Sequence, residues 1–181
     1  KPVSGKAWES FKEKRSLYDV ICDWLHRTPI QGSVPDSSSD DETVSNFVDS
    51  FIQNHNSLSP DSNSEAQQFL KPDGKVHRGR SGLLFIESYR ELPLLAWPRK
   101  LISTLIELEE AMVLWRSSHA RMVERVIGRR IGTGGSSGVD YLDMTTKYRV
   151  FIDLWSVRSI LIKKSALPEL QNPEFYDFKG D

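Results

Sequence analysis

From residue 98 to residue 127 the chain carries apolar side chains in one unbroken helical register. Leu101, Leu105, Leu108, Met112, Trp115, His119, Met122 and Val126 follow one another in alternating steps of four and three, the spacing that aligns side chains along one face of an α-helix. Pro98 suits the first helical turn, where its missing N–H is no loss. Gly128 and Gly132 are placed to end the helix. The predicted element is about 30 residues long, roughly 45 Å at 1.5 Å per residue. Ile102, Ile106, Val113, Ala120, Val123 and Ile127 widen the apolar face, so the helix is expected to be buried on more than one side. A chain built round such a rod has to fold other helices against it.

The flanking segments read the same way. Residues 7–26 place Trp8, Phe11, Leu17, Tyr18, Ile21, Trp24 and Leu25 at helical spacing, and Arg27-Thr28-Pro29 stops them. Val44, Phe47, Val48, Phe51 and Ile52 mark a shorter helix. Residues 81–92 form an apolar-rich one that Pro93 brings to its end. Residues 144–163 resume helical spacing through Tyr148, Phe151, Ile152, Leu154, Trp155, Val157, Ile160 and Leu161. By composition, 32–42, 54–63 and 71–80 read as polar loops. No alternating strand pattern and no internal repeat is present. The expectation is an all-α helical bundle, with residues 1–181 as a single domain.

Charge and cysteine usage narrow the function classes. A net charge of −1 gives no electrostatic reason to expect a nucleic-acid partner, and the local cluster Arg125, Arg129 and Arg130 reads as a solvated helix end. The single cysteine, Cys22, excludes an intrachain disulfide and a cysteine-based zinc site. Lying among Ile21, Trp24 and Leu25, it reads as a buried structural thiol. No apolar run approaches the ~18 residues of a membrane span, and the opening KPVSGKAWESFK is no signal peptide. No membrane association and a cytoplasmic location are expected. The first residue is lysine, not methionine, which points to a preceding segment.

His119 lies on the long seam between Trp115 and Met122. One reading is a core histidine bonded to a backbone carbonyl and a buried water. The other is an axial metal ligand held by a rigid helix. Met122 and Val123 occupy the positions one turn on, so a two-histidine zinc site does not fit, whereas a haem needs one strong protein ligand. Beside a cofactor, Trp115 would be a packing wall and Arg116 a counter-charge for an acidic group. His26, His55 and His77 read as surface residues.

The helix is followed by Gly132-Thr133-Gly134-Gly135-Ser136-Ser137-Gly138. A phosphate loop would end in Gly-Lys-Ser/Thr, but Val139 and Asp140 follow here. A dinucleotide fingerprint needs a leading strand and a different third glycine. A flexible linker and a binding loop remain. The apolar segments on both sides favour a loop that offers backbone amides and the hydroxyls of Thr133, Ser136 and Ser137 to a small polar ligand.

Trp115-Arg116-x-x-His119, Met122-Val123-x-Arg125-x-Ile127-Gly128, the glycine loop and Tyr141-Leu142 together resemble the C-terminal half of tryptophan 2,3-dioxygenase. Residues 13–29 and 144–170 resemble that family more weakly, and about two-thirds of the chain is covered. The resemblance implies an all-helical enzyme that uses haem b (iron) and O2 to open the indole C2–C3 bond of L-tryptophan, giving N-formylkynurenine. Residue by residue, it implies His119 as the proximal haem ligand, with Trp115 and Arg116 on the cofactor side. Gly132, Thr133 and Gly134 match the loop at the substrate's amino-acid end. Ser117 and Ser118 stand where the family tends to place a bulkier pair.

No segment here resembles the motifs that supply the family's distal histidine, carboxylate-binding arginine and indole pocket. The resemblance therefore implies that an N-terminal-half segment or partner chain completes the site, in a homo- or hetero-oligomer. Two alternatives remain: a haem hydroxylase or peroxygenase acting on another aromatic amino acid or indole, and a non-catalytic helical subunit that binds haem or a partner protein.

Overall fold

The computed structural model describes residues 14–58, 63–71, 74–130 and 138–177. Every regular element among them is helical. These are α1 (Leu17–His26), α2 (Asp40–Leu58), α3 (Asn63–Leu70), α4 (Gly74–Ser88), α5 (Ala96–Ile127), α6 (Val139–Thr145) and α7 (Ile152–Ser159), with short 3-10 turns at Pro93–Leu95, Lys164–Ala166 and Pro173–Tyr176. The all-α expectation is met. The chain forms two compact units, Lys1–Arg99 with Ser156–Asp181, and Lys100–Trp155. No helix among the described residues is long and apolar enough to cross a membrane.

In the first unit α1 opens with a reciprocal cap. The Asp19 amide donates to Ser16 Oγ, and the Ser16 amide donates back to Asp19 Oδ2. Helix α1 then packs on α4, whose Leu83, Leu84, Phe85 and Ile86 are fully buried. The contact is close because α4 presents glycines to it. A Cβ on Gly82 would stand 2.4 Å from the Leu25 carbonyl oxygen, and one on Gly79 would stand 3.3 Å from that of Cys22. Phe85 is also the hub of an aromatic cluster, with ring centroids 5.4 Å from Phe47, 4.7 Å from Tyr89 and 5.4 Å from Tyr176.

Polar anchors hold the segments between these helices. Arg78 of α4 is buried, and its Nε and Nη2 donate to the two carboxylate oxygens of Asp40 while Nη2 also reaches the Thr28 carbonyl. Ser33 donates to the same carboxylate at 2.6 Å. Burial alone would raise the Asp40 pKa. The hydrogen bonds from Arg78 and Ser33 outweigh it and hold the carboxyl below its ordinary value. Near the C-terminus, Tyr176 donates to the Pro29 carbonyl and accepts from the Gly32 amide, and Gln31 bonds the backbone at Glu169 and Gln171. Burial pushes the Tyr176 phenol up to about 12, so it stays a donor across the physiological range.

Several element boundaries differ from the sequence reading. Helix α2 takes in residues 40–42 and 54–58, α3 begins at Asn63, and residues 74–80 are the first half of α4, so the loops expected at 32–42, 54–63 and 71–80 are shorter. In 71–80 the glycines and arginines look like loop chemistry. Gly79 instead faces the closely approaching α1 backbone, and Arg78 enters the buried ion pair. His55, expected at the surface, is buried in α2 and stacked on Phe51 at 6.3 Å. Cys22 is half-buried. The helix expected over 144–163 is two, α6 and α7, with residues 146–151 between them.

In the second unit α5 ends at Gly128, whose φ of +63° is the left-handed conformation glycine adopts freely. Its amide closes on the Glu124 carbonyl at 2.8 Å. The expected seam is only partly buried. Ile102, Leu105 and Ile106 are covered, whereas Leu108, Met112, Trp115, Met122 and Val126 are exposed on this chain.

Two predictions follow from the first unit's contacts. Gly82→Ala forces a methyl into the Leu25 carbonyl and is expected to cost about 2–3 kcal/mol in chemical denaturation, with Gly79→Ala costing clearly less. Asp40 has a lowered folded-state pKa, so its contribution is complete above the unfolded value and is lost as pH falls through the folded one. Stability should therefore hold from about pH 5 upward and fall below about pH 4. Asp40→Asn should remove about 3 kcal/mol at pH 7 and flatten the acid limb.

Candidate functional site

His119 sits on the open stretch of α5. Its imidazole is half-buried and lies flat against the Trp115 indole one turn earlier, with ring centroids 5.4 Å apart and planes 6° from parallel. That spacing is an ordinary consequence of residues four apart on one helix face. No hydrogen bond to the imidazole is made among the described residues. Met112 lies on one side along the stripe and Met122 on the other, both exposed. Of the two readings of His119, full burial in a core is not seen: the ring is half-buried on a partly exposed apolar stripe.

Arg116, expected beside a cofactor, is turned to a different task. Its Nη1 donates to the carbonyls of Thr145 at 3.2 Å and Tyr148 at 3.1 Å. A cation on carbonyls at the end of α6 is favoured by the helix dipole, so Arg116 ties α6 back to α5. The structure brings Trp115 and His119 together and engages Arg116 elsewhere. Gly132, Thr133 and Gly134 lie outside the described residues.

Arg129 and Gly138 lie on either side of the glycine loop. Gly138 is buried and caps α6 with φ +59° and ψ −118°, a backbone region open to glycine and closed to side chains with a Cβ. Arg129 spans both sides, 3.3 Å from Glu124 of α5 and 3.4 Å from Asp140 of α6. Both pairs are exposed, so each contributes well under 1 kcal/mol.

Glu109 is the residue that sequence reasoning missed. It lies on α5 within the buried stretch and is only 2% exposed. One carboxylate oxygen accepts from the backbone amides of Val150 and Phe151 as the chain enters α7, and the other accepts from the Trp155 indole N–H at 2.6 Å. Arg149 approaches the same carboxylate at 3.9 Å and stacks its guanidinium over the Trp155 ring at 4.2 Å. A carboxylate on the amides that open a helix satisfies donors with no intrahelical partner. The sequence signal is a glutamate in helical register with the apolar Ile102, Ile106 and Val113.

The other histidines belong to the first unit. His26 lies 3.9 Å from Asp36, His77 Nδ1 meets the Leu70 carbonyl, and His55 is buried. Among the described residues no three His, Cys, Asp or Glu side chains converge as a metal-binding group. Glu109→Ala would strip a cap from α7 and leave buried N–H groups unpaired, and is expected to cost about 2–4 kcal/mol. Guanidinium unfolding of the Ala and Gln variants measures it, with Gln retaining part of the stability.

The sequence pattern of the family described as Tryptophan 2,3-dioxygenase matches residues 7–161. A tryptophan 2,3-dioxygenase-like protein of Xanthomonas campestris pv. campestris (strain 8004) is 40% identical over 209 residues, covering 97% of this chain and 74% of that protein. A tryptophan 2,3-dioxygenase of Sorangium cellulosum (strain So ce56) is 41% identical over 199 residues, covering 91% of this chain and 47% of the relative. Tryptophan 2,3-dioxygenase 2 of Ralstonia nicotianae is 62% identical over 100 residues, 55% of this chain and 27% of its own length. The chain thus spans about half, or less, of the latter two.

Proposed function

Because this chain belongs to the tryptophan 2,3-dioxygenase family, we propose that it carries the proximal side of a haem b site at which L-tryptophan and O2 give N-formylkynurenine. The observation that carries this reading is the placement of His119. It is a lone imidazole, without a protein hydrogen bond among the described residues, at the centre of an exposed apolar stripe. That donor set fits a haem, which takes one axial nitrogen and covers flat apolar surface around it. His119 would hold the iron, and the apolar side chains of Met112, Trp115 and Met122 along the same stripe would receive the cofactor. The tie from Arg116 to α6 supports a positioning role for that residue rather than direct contact with an acidic group.

Haem, when bound, supplies the O2 chemistry. What falls to this chain is geometry. The long helix α5, fixed within the second unit by Glu109, holds the His119 imidazole in one place. Gly128 at one end and Gly138 at the other shape the approach to the loop. Within that loop, Gly132, Thr133 and Gly134 would receive the amino-acid end of the substrate, with the Thr133 hydroxyl accepting from the ammonium. Orienting the indole in this way is catalysis by positioning. The overall reaction breaks the C2–C3 bond and leaves one oxygen atom on each carbon, so no external reductant is consumed.

Coverage of 47% of the Sorangium relative and 27% of the Ralstonia one supports a second part of the proposal: an N-terminal-half segment or a partner chain in an oligomer completes the distal side. A cytoplasmic location belongs to the same reading.

In the assembled protein, His119→Ala should abolish or shift the Soret band of histidine-ligated haem. A spectrum identical to wild type removes the axial assignment. Thr133→Ala should keep the haem and raise the KM for L-tryptophan about tenfold to a hundredfold. If haem is lost instead, the loop serves structure rather than substrate.

A further inference from the structure

An imidazole on a helix keeps a broad torsion about its Cβ–Cγ bond, and that torsion sets both the ring plane and the direction in which Nε2 points. Ligating histidines are commonly oriented by a hydrogen bond from Nδ1 to an acceptor. Among the described residues His119 has no such bond. What constrains its plane is Trp115, whose indole lies within 6° of parallel at 5.4 Å between centroids. Trp115 is 66% exposed, so burial in the unit's core does not account for its placement. Its neighbours along the stripe, Met112 and Met122, are flexible chains that cover surface without defining a plane.

We propose that Trp115 is a positioning residue for the axial ligand: the stacked indole fixes the plane of the His119 imidazole and so the angle at which Nε2 is presented. This rests on the reading of His119 as the haem ligand. The effect is specific to a flat aromatic ring at this place. An aliphatic side chain of similar bulk covers surface equally well but leaves the imidazole free to turn. Stacked aromatic pairs add to affinity beyond the area they bury, and loss of the stack is expected to weaken haem binding about two- to tenfold.

The test uses the assembled protein loaded with ferric haem b and then reduced. Resonance Raman reads the iron–histidine stretching band, and a competition titration reads haem affinity. Trp115→Ala and Trp115→Leu should broaden and shift the band and lower affinity within the stated range. Trp115→Phe, which keeps a stacking ring, should restore most of the wild-type band. A band unchanged in position and width in the Ala and Leu variants overturns the proposal. So does a Leu variant indistinguishable from Phe, which reduces Trp115 to apolar covering. His119→Ala separates the two levels. If the histidine band persists without His119, the ligand assignment itself fails. If it vanishes while Trp115 variants are silent, only the positioning role fails.

Discussion

A helix of 32 residues with apolar side chains on more than one face sets the terms for the second unit. Each large apolar side chain left in water forfeits roughly 1.5–3 kcal/mol of burial, so such a helix is either covered along its length or exposes a stripe for a reason. On α5 the covered part runs through Ile102, Leu105, Ile106 and the buried Glu109, and the open part runs through Met112, Trp115, Met122 and Val126. His119 lies in the open part. The division gives one element two tasks: Glu109 anchors α7 to its buried side, and the outward side presents an imidazole within a hydrophobic surface.

The first unit solves a different problem, close helix approach. Gly82 lets α4 meet the α1 backbone at a distance no Cβ would allow, Gly79 faces the same helix in a tighter-than-usual contact, and the apolar half of α4 then fills the interior. The buried Arg78–Asp40 pair fastens the 28–40 segment to this pair of helices. A buried ion pair of this kind is poor evidence for net stability, but breaking one partner is costly. The pair gathers the Thr28 carbonyl and the Asp40 carboxylate on a single guanidinium, with Ser33 donating to the same carboxylate.

Much of this architecture is legible in the sequence, for identifiable reasons. The α5 register and its stop at Gly128 follow from local spacing and backbone chemistry, whereas α1 begins at Leu17 behind its Ser16 cap, inside the stretch read as helical over 7–26. The 74–80 half of α4 is not legible, because Gly79 and Arg78 look like loop residues until the partner helix and carboxylate are in place. His55 is misread for a similar reason: its neighbours in sequence are polar, while its neighbour in space is Phe51. Glu109 is invisible to periodicity, since its value lies in amides more than forty residues away. At the site, the stripe and the histidine could be read in advance. That the stripe faces outward, and that Arg116 serves α6, depended on tertiary contacts.

The central claim is that the open stretch of α5 is the surface a haem covers. Hydroxyl-radical footprinting of the assembled protein, before and after loading with haem b, tests it at the level of single side chains. The account predicts that Trp115, Met112 and Met122 become protected on loading, while Trp97, also exposed but remote in sequence from the stripe, reacts as before. Equal labelling of Trp115 and Met122 in the two states, with haem demonstrably bound, would contradict it.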